Sequence, residues 1–530
     1  MAPHENIDTV SKAAAYVEYT KLQQFLDAQP ACVNETDASG YYPLQWAALN
    51  NRVAEATFLL QRGALVNAVD HTGQTSLHWA SVRGSLPVLE TLLRNGGSPD
   101  IQDNRGYTAA HVAAQYGQTA VLYHLALKWG VDMDTPDADG RTPLHWAAYK
   151  GYADTLRLLL VLEASCTLAD KEGCTALHWA AIKGNGEACT VLLQGGSVSV
   201  LTYKDVTGST PAQLAVEKGH RYLGLHLAEY KQKHEGSSSS SWWGKSSWLS
   251  WLTGTQLCPV IWLIGLSLMA LYSHKVMLPG LSPPLMAWSW SVMLCCSLGL
   301  FFLYKTTTAD PGFIPSTWTS SSSNPRLKAL DSPALWAGNW HQLCVSCHIV
   351  RPLRAKHCSV TDRCIEVFDH YCPWVGNAIG KGNRHWFILF LWLELYGLAT
   401  SAIITCIIIH AHAASETWDT SRMAWMVAFV VADLFVGVSV AALAVAQASQ
   451  IARNVTTNEL ANWHRYKYLQ TADGSFHNPF SKGIWANCAE AFNPGTTPMA
   501  PVYLSRDAAH SPHTGCAASN CSGCSSKASV

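Results

Sequence analysis

The chain has 530 residues, more than one hydrophobic core supports, so its whole-chain averages mix several units. A formal net charge of -1 supplies no overall basic field for nucleic acid, and 17 Cys over this length are not the dense framework of a disulfide-stapled secreted domain. The opening stretch MAPHENIDTVSKAAAYVEYT lacks an apolar core of signal-peptide length, so no cleavable secretion signal is expected and the cysteines are read as reduced and facing the cytosol.

The N-terminal part repeats. Gly-x-Thr-x-Leu-His-x-Ala occurs at Gly73–Ala80, Gly140–Ala147 and Gly173–Ala180, with weaker copies starting at Gly40, Gly106 and Gly208. The spacings of 33, 33, 34, 33 and 35 residues are the ankyrin period, and the Thr-x-Leu-His turn is its signature. Residues 36–230 are therefore predicted to form an ankyrin-repeat solenoid, with 1–35 as a degenerate cap. Such a stack has no catalytic chemistry; it binds partners. Trp46, Trp79, Trp146 and Trp179 recur at one place in the repeat and are read as packing between helices, and the repeat His as satisfying a turn.

A Ser- and Trp-rich segment, 231–251, reads as a flexible linker, and Trp242, Trp243, Trp248 and Trp251 suit a membrane interface. Four apolar stretches follow, at about 252–272, 284–304, 386–410 and 423–447, each near the roughly 20 residues that cross a bilayer. Short connections make them two hairpins, 252–304 and 386–447. The intervening segment 305–385 carries nine Lys and Arg, against Lys275 and Arg422 in the short loops, so it and both termini, including the tail 448–530, are expected on the cytosolic side. The sequons at Asn34, Asn454 and Asn520 would then stay unglycosylated. Glu394 and Asp433 fall inside the third and fourth stretches, where hydrogen bonds between helices are favoured over a transport path. Cys516, Cys521 and Cys524 lie in a Ser-rich tail read as unstructured. The fold class expected is α-helical: a solenoid, a four-helix transmembrane domain and a small cytosolic zinc-binding domain.

That domain is the polar island 344–387. Cys344 and Cys347 form a C-x2-C knuckle, and His357 and Cys364 follow far enough on to fold back and complete a Cys3His zinc site. With four positions filled, the ion would be structural. In Asp369-His370-Tyr371-Cys372 an imidazole and a carboxylate stand beside a thiol next to a membrane segment, as a nucleophile requires. On spacing alone, His370 and Cys372 could equally be further zinc ligands.

Cys344-x2-Cys347, Arg351-Pro352-x-Arg354-x2-His357-Cys358, Cys364, Asp369-His370-Tyr371-Cys372-Pro373-Trp374, Asn377, Gly380 and Asn383 resemble the cysteine-rich domain of the DHHC protein S-acyltransferases. Asp310-Pro311-Gly312, Thr456-Thr457-Asn458-Glu459 and Asn478-Pro479-Phe480 match that family's flanking motifs, and the ankyrin repeats with four membrane segments resemble its plant-type members. The resemblance implies that Cys372, with His370 and Asp369, takes an acyl chain from palmitoyl-CoA and passes it to cysteines of proteins recruited by the repeats, in an internal membrane such as the Golgi. Arg351, Arg354, Lys356 and Arg384 become candidates for the CoA phosphates, or simply a basic membrane-facing surface. Family members bind a second zinc through another Cys3His set, of which only Cys358 remains; Thr361, Tyr371 and Ala378 occupy the other positions. Either packing replaces that metal, or the domain is an idle pseudoenzyme serving as a membrane-anchored ankyrin scaffold.

Overall fold

The computed structural model describes residues 9–16, 19–196, 198–238, 258–278, 281–315, 330, 332–413 and 420–493. The tail cysteines, Asn520 and the Trp cluster 242–251 lie outside them.

One repeat shows why the N-terminal sequence stacks. Asp70 Oδ1 accepts from the N–H groups of Thr72 and Gln74 at 2.8 and 3.0 Å, closing a turn in which Gly73 takes a φ of 82°. Thr75 then caps helix Ser76–Arg83, and His78 Nδ1 accepts from the Thr75 N–H at 3.1 Å while its Nε2 reaches the Tyr107 carbonyl of the next repeat at 2.8 Å. The Thr-x-Leu-His turn thus caps its own helix and ties it to its neighbour, which is the turn-satisfying role expected of the His. The Trp follows suit: Trp46, Trp79, Trp146 and Trp179 each donate to the Asp nine residues earlier, at 2.8, 3.0, 3.1 and 2.9 Å. Ahead of the repeats, Val10–Ala15 and Tyr19–Ala28 bury Ala13, Ala14, Leu22 and Leu26 in the same core. The helix Arg221–Ser238 continues through residues expected to be linker, because Lys, Gln and Glu favour helix.

Among the described residues four helices are long and apolar enough to cross a membrane: Pro259–Met277, Pro283–Thr308, Arg384–Ala411 and Thr420–Ala452. The fourth outruns its expected end and carries Gln447 and Gln450, both buried, toward the polar domain. Asp433 accepts from Ser401 Oγ at 2.8 Å, linking the third and fourth helices. Glu394 lies over Gly299 of the second, where a Cβ would stand 2.5 Å from its Oε1.

Among the described residues between the second and third membrane helices lie three antiparallel hairpins, β1 (Leu343–Cys344) with β2 (Ile349–Val350), β3 (Lys356–Cys358) with β4 (Arg363–Ile365), and β5 (His370–Cys372) with β6 (Asn377–Ile379). They are fastened to the end of the second membrane helix. Asn377 Nδ2 donates to the Thr306, Thr307 and Ala309 carbonyls at 3.1, 3.1 and 3.0 Å, satisfying acceptors that a helix end leaves open. Beyond that end, Asp310 folds the chain with bonds from the Gly312 and Phe313 N–H groups, and Ile314 N–H donates to the Cys364 carbonyl at 2.9 Å. Gly382 is required at this crossing, since a Cβ there would stand 2.2 Å from the Asp310 carbonyl oxygen.

Candidate functional site

The register of β3 against β4 places His357 opposite Cys364, and the β1–β2 turn brings up Cys344 and Cys347. His357 Nδ1 lies 3.6, 3.3 and 3.9 Å from the sulfurs of Cys344, Cys347 and Cys364, and the four donor atoms fall within 4.8 Å of one another. Zinc bonds of about 2.0 to 2.3 Å in a tetrahedron give edges of roughly 3.5 to 3.8 Å, so the group fits such an ion closed on all sides. His357 Nε2 lies 3.3 Å from Oδ1 of the exposed Asp362, an outer carboxylate that spacing did not reveal. Among the described residues this is the one cluster of this kind.

The four positions that the resemblance marks as a second ligand set, Cys358, Thr361, Tyr371 and Ala378, lie at or beside an apolar cluster. Cys358, Ile365, Phe368 and Ala378 are buried together, with Phe313 and Tyr371 packed against them. Tyr371 and Ala378 are direct partners across β5 and β6, so one ring and one methyl stand where two ligands would face each other. Arg363 lies 4.1 Å above the Phe313 ring, and Lys356 Nζ lies 5.5 Å from the Phe368 ring.

The same β5 strand presents His370 and Cys372. His370 Nδ1 is 2.6 Å from Asp369 Oδ2, and Cys372 stands two residues on along the same strand, so both side chains share one face. Cys372 is buried among Leu300, Leu303, Phe387, Phe390, Leu391 and Ala444 from the ends of three membrane helices. A thiol with an imidazole on one side and the apolar mouth of a helix bundle on the other can exchange a long acyl group.

Asp369 is fully enclosed. Thr457 donates to it from both backbone N–H and hydroxyl at 2.8 Å, Gln447 Nε2 reaches it at 3.2 Å, and Arg384 lies at 3.4 Å. Burial works against a charge here, but the His370 hydrogen bond, the Arg384 guanidinium and the Thr457 N–H together hold Asp369 well below the usual carboxylate range. Burial likewise disfavours charge on His370, yet its hydrogen bond to Asp369 and the neighbouring Cys372 sulfur prevail and push it up to about 9. Gln447 and Gln450 were missed in the sequence; two amides three residues apart at the end of an apolar helix were the available signal.

The four basic residues considered for CoA phosphates separate. Arg354 is buried and forks onto Glu459, Nε to Oε1 at 2.8 Å and Nη2 to Oε2 at 2.9 Å, with Asn454 and the Phe480 ring completing its surroundings. Arg384 is buried too, between Asp369, Gln450 and the Val455 carbonyl. Arg351 and Lys356 are half-buried; the first donates to the His341 and Gln342 carbonyls, the second to Asn458 Oδ1. Asn454, a sequon residue, has its side chain engaged by Arg354 and by the Phe480 carbonyl.

A family model described as DHHC palmitoyltransferase matches residues 338–464, and an ankyrin-repeat model matches three times, at 11–103, 83–170 and 160–235. The chain is similar to "Probable protein S-acyltransferase 23" of Arabidopsis thaliana, 37% identical over 511 residues that cover 93% of this chain and 94% of that one. It is also similar to "Palmitoyltransferase ZDHHC17" of Danio rerio, 29% identical over 66% of each chain, and to "Palmitoyltransferase Hip14" of Drosophila melanogaster, 32% identical over 38% of this chain and 33% of that one. The chain belongs to the DHHC palmitoyltransferases, a family of protein S-acyltransferases, and carries ankyrin repeats at its N-terminal side.

Proposed function

We propose that the chain is an active S-acyltransferase working through a Cys372 acyl-enzyme, with palmitoyl-CoA as donor. The observation that carries this is the Asp369–His370 bond of 2.6 Å beside a thiol set in the apolar mouth of the helices. With Nδ1 held by Asp369, the other ring nitrogen serves Cys372. The attacking form of cysteine is the thiolate, and His370 supplies its counter-charge. The sulfur attacks the thioester carbonyl carbon, a new C–S bond forms, the C–S bond to CoA breaks, and His370 returns the proton to the departing CoA sulfur. In the second half an acceptor thiol gives its proton to His370 and its sulfur displaces Cys372.

Cys344, Cys347, His357 and Cys364 would hold one zinc ion, whose contribution is to keep the knuckle folded. The apolar cluster around Tyr371 and Ala378 does by packing what a second ion does in relatives, and this favours the active enzyme over the idle scaffold. Arg354 and Arg384 act as positioning residues for Asp369 and the segment after the fourth helix, which leaves Arg351 and Lys356 as the remaining candidates for the donor's phosphates. The excess of Lys and Arg in 305–385 supports a cytosolic active site, and the repeats recruit clients from the same side. Incubation of purified protein with radiolabelled palmitoyl-CoA tests the reading: a hydroxylamine-labile label is expected on wild type and absent from Cys372→Ala, and equal labelling of the two would refute it.

A further inference from the structure

The zinc knuckle does not stand free. Val345 and Ser346, between the ligands Cys344 and Cys347, meet the second helices of the repeats. Val345 is buried in the same continuous core as the ankyrin leucines, together with Leu335, Trp340 and Leu343. Ser346 Oγ donates to the Gln194 carbonyl at 3.0 Å. Gly195, at the end of helix Gly186–Gly195, faces the knuckle so closely that a Cβ would stand 2.2 Å from Val345 Cγ1. Two repeats earlier, Tyr123 on helix Thr119–Trp129 packs edge-on against Trp336 at 4.8 Å and near Trp340 at 5.7 Å, and its hydroxyl donates to the Leu330 carbonyl at 3.1 Å.

The seat uses the outer helices of the stack. Among the described residues nothing covers the first helices of the repeats, which carry clefts of about 120 Å³ between Trp146 and Trp179 and about 130 Å³ between Trp46 and Trp79. A tethered recruiting module has no need of a glycine-close, apolar contact with the turn that carries two metal ligands.

We propose that Gly195, Tyr123 and Ser346 form a positioning seat: the ankyrin stack holds the zinc knuckle closed, and metal retention depends on that contact. The stack is then a fixed jaw of the enzyme, with its uncovered face held at a set place relative to Cys372. This rests on the ion assigned above but not on catalysis. It also means that deleting 36–230 would strip the cover from Leu335, Trp340, Leu343 and Val345, so point variants of the full chain are the sound test.

Zinc release from the full-length protein in nanodiscs to the chelator 4-(2-pyridylazo)resorcinol reads the seat directly. Gly195→Val, which forces bulk against Val345, should release zinc at least about fivefold faster than wild type, as expected for an overpacked contact. Tyr123→Ala adds no bulk and should accelerate release in the same direction. Gly186→Ala, in the same helix with only Leu223 at 4.0 Å, should not. Hydrogen exchange of residues 343–350 should rise with the release rate in the first two variants. Release from Gly195→Val and Tyr123→Ala at the wild-type rate, or acceleration by Gly186→Ala as large as theirs, overturns the seat. Labelling of Cys372 by palmitoyl-CoA, run in parallel, separates the two readings: its absence with seat-dependent zinc release refutes the enzyme and leaves the seat, while its presence with seat-independent release does the reverse.

Discussion

Thr457 grips the carboxylate of Asp369 with its backbone N–H and its hydroxyl, both at 2.8 Å, from a segment 88 residues further along the chain. The carboxylate beside His370 is thus held by the segment that follows the fourth membrane helix. A hydrogen bond to a charged group contributes about 1.5 to 3 kcal/mol, or roughly tenfold to a hundredfold in rate if it acts on the reacting state. Thr457→Val keeps the N–H and removes the hydroxyl. Acyl-enzyme formation in single-turnover assays should slow by about tenfold or more, Thr457→Ser should restore it, and zinc content should not change.

Arg354 and Glu459 form a buried fork at 2.8 and 2.9 Å, which predicts a folding defect rather than a donor-binding defect. Removing one partner of a buried pair costs about 3 to 5 kcal/mol, and Lys cannot reproduce the fork. Glu459→Gln and Arg354→Lys should both lower the temperature at which the detergent-solubilised protein aggregates. The fraction that stays folded should keep its apparent affinity for palmitoyl-CoA; a weakened affinity in Arg354→Lys alone would return that residue to the phosphate site.

The apolar cluster predicts that a second ion can be restored. Cys358 remains in place, so the triple variant Thr361→Cys, Tyr371→His, Ala378→Cys supplies the missing donors. Inductively coupled plasma mass spectrometry should find one zinc per wild-type chain and two per variant chain. Two in wild type would show that the cluster around Tyr371 and Ala378 has been misread.

In the ankyrin stack, burial pushes His145 down to about 4, and burial lowers His78 and His111 as well. The unfolded histidines titrate near 6.5, so between these values the unfolded chain binds more protons and stability falls as pH drops. From pH 7.5 to 5, His145 alone should cost about 2 kcal/mol. The stack's unfolding transition, followed by tryptophan fluorescence, should therefore shift to lower denaturant at pH 5, and His145→Gln should flatten part of that dependence.

Much of this was legible in advance where one local rule fixes one local structure. The 33-residue spacing dictated the stack, and its Thr-x-Leu-His turn dictated both cap and inter-repeat bond. C-x2-C with His357 and Cys364 closed as spacing requires. What sequence could not supply were relations between distant segments. Arg354 and Arg384 looked like exposed cations because nothing near them in the chain announces Glu459, Gln450 or Asp369 as partners. The contact of Val345 with Gly195 was invisible for the same reason, since a Ser-rich stretch between the repeats and the first apolar segment reads as separation, not docking. What surrounds Cys358 turned on whether Phe313 and Phe368 fold onto Tyr371 and Ala378, which is packing and has no periodicity.

The most direct measurement of the central claim is a native mass spectrum of the wild-type protein after incubation with palmitoyl-CoA, because it reads metal and acyl group on the same molecule. One zinc ion together with one hydroxylamine-labile acyl group, mapped to Cys372, is the predicted species. A chain that retains one zinc and acquires no acyl group would contradict the account and leave a membrane-anchored ankyrin scaffold in its place.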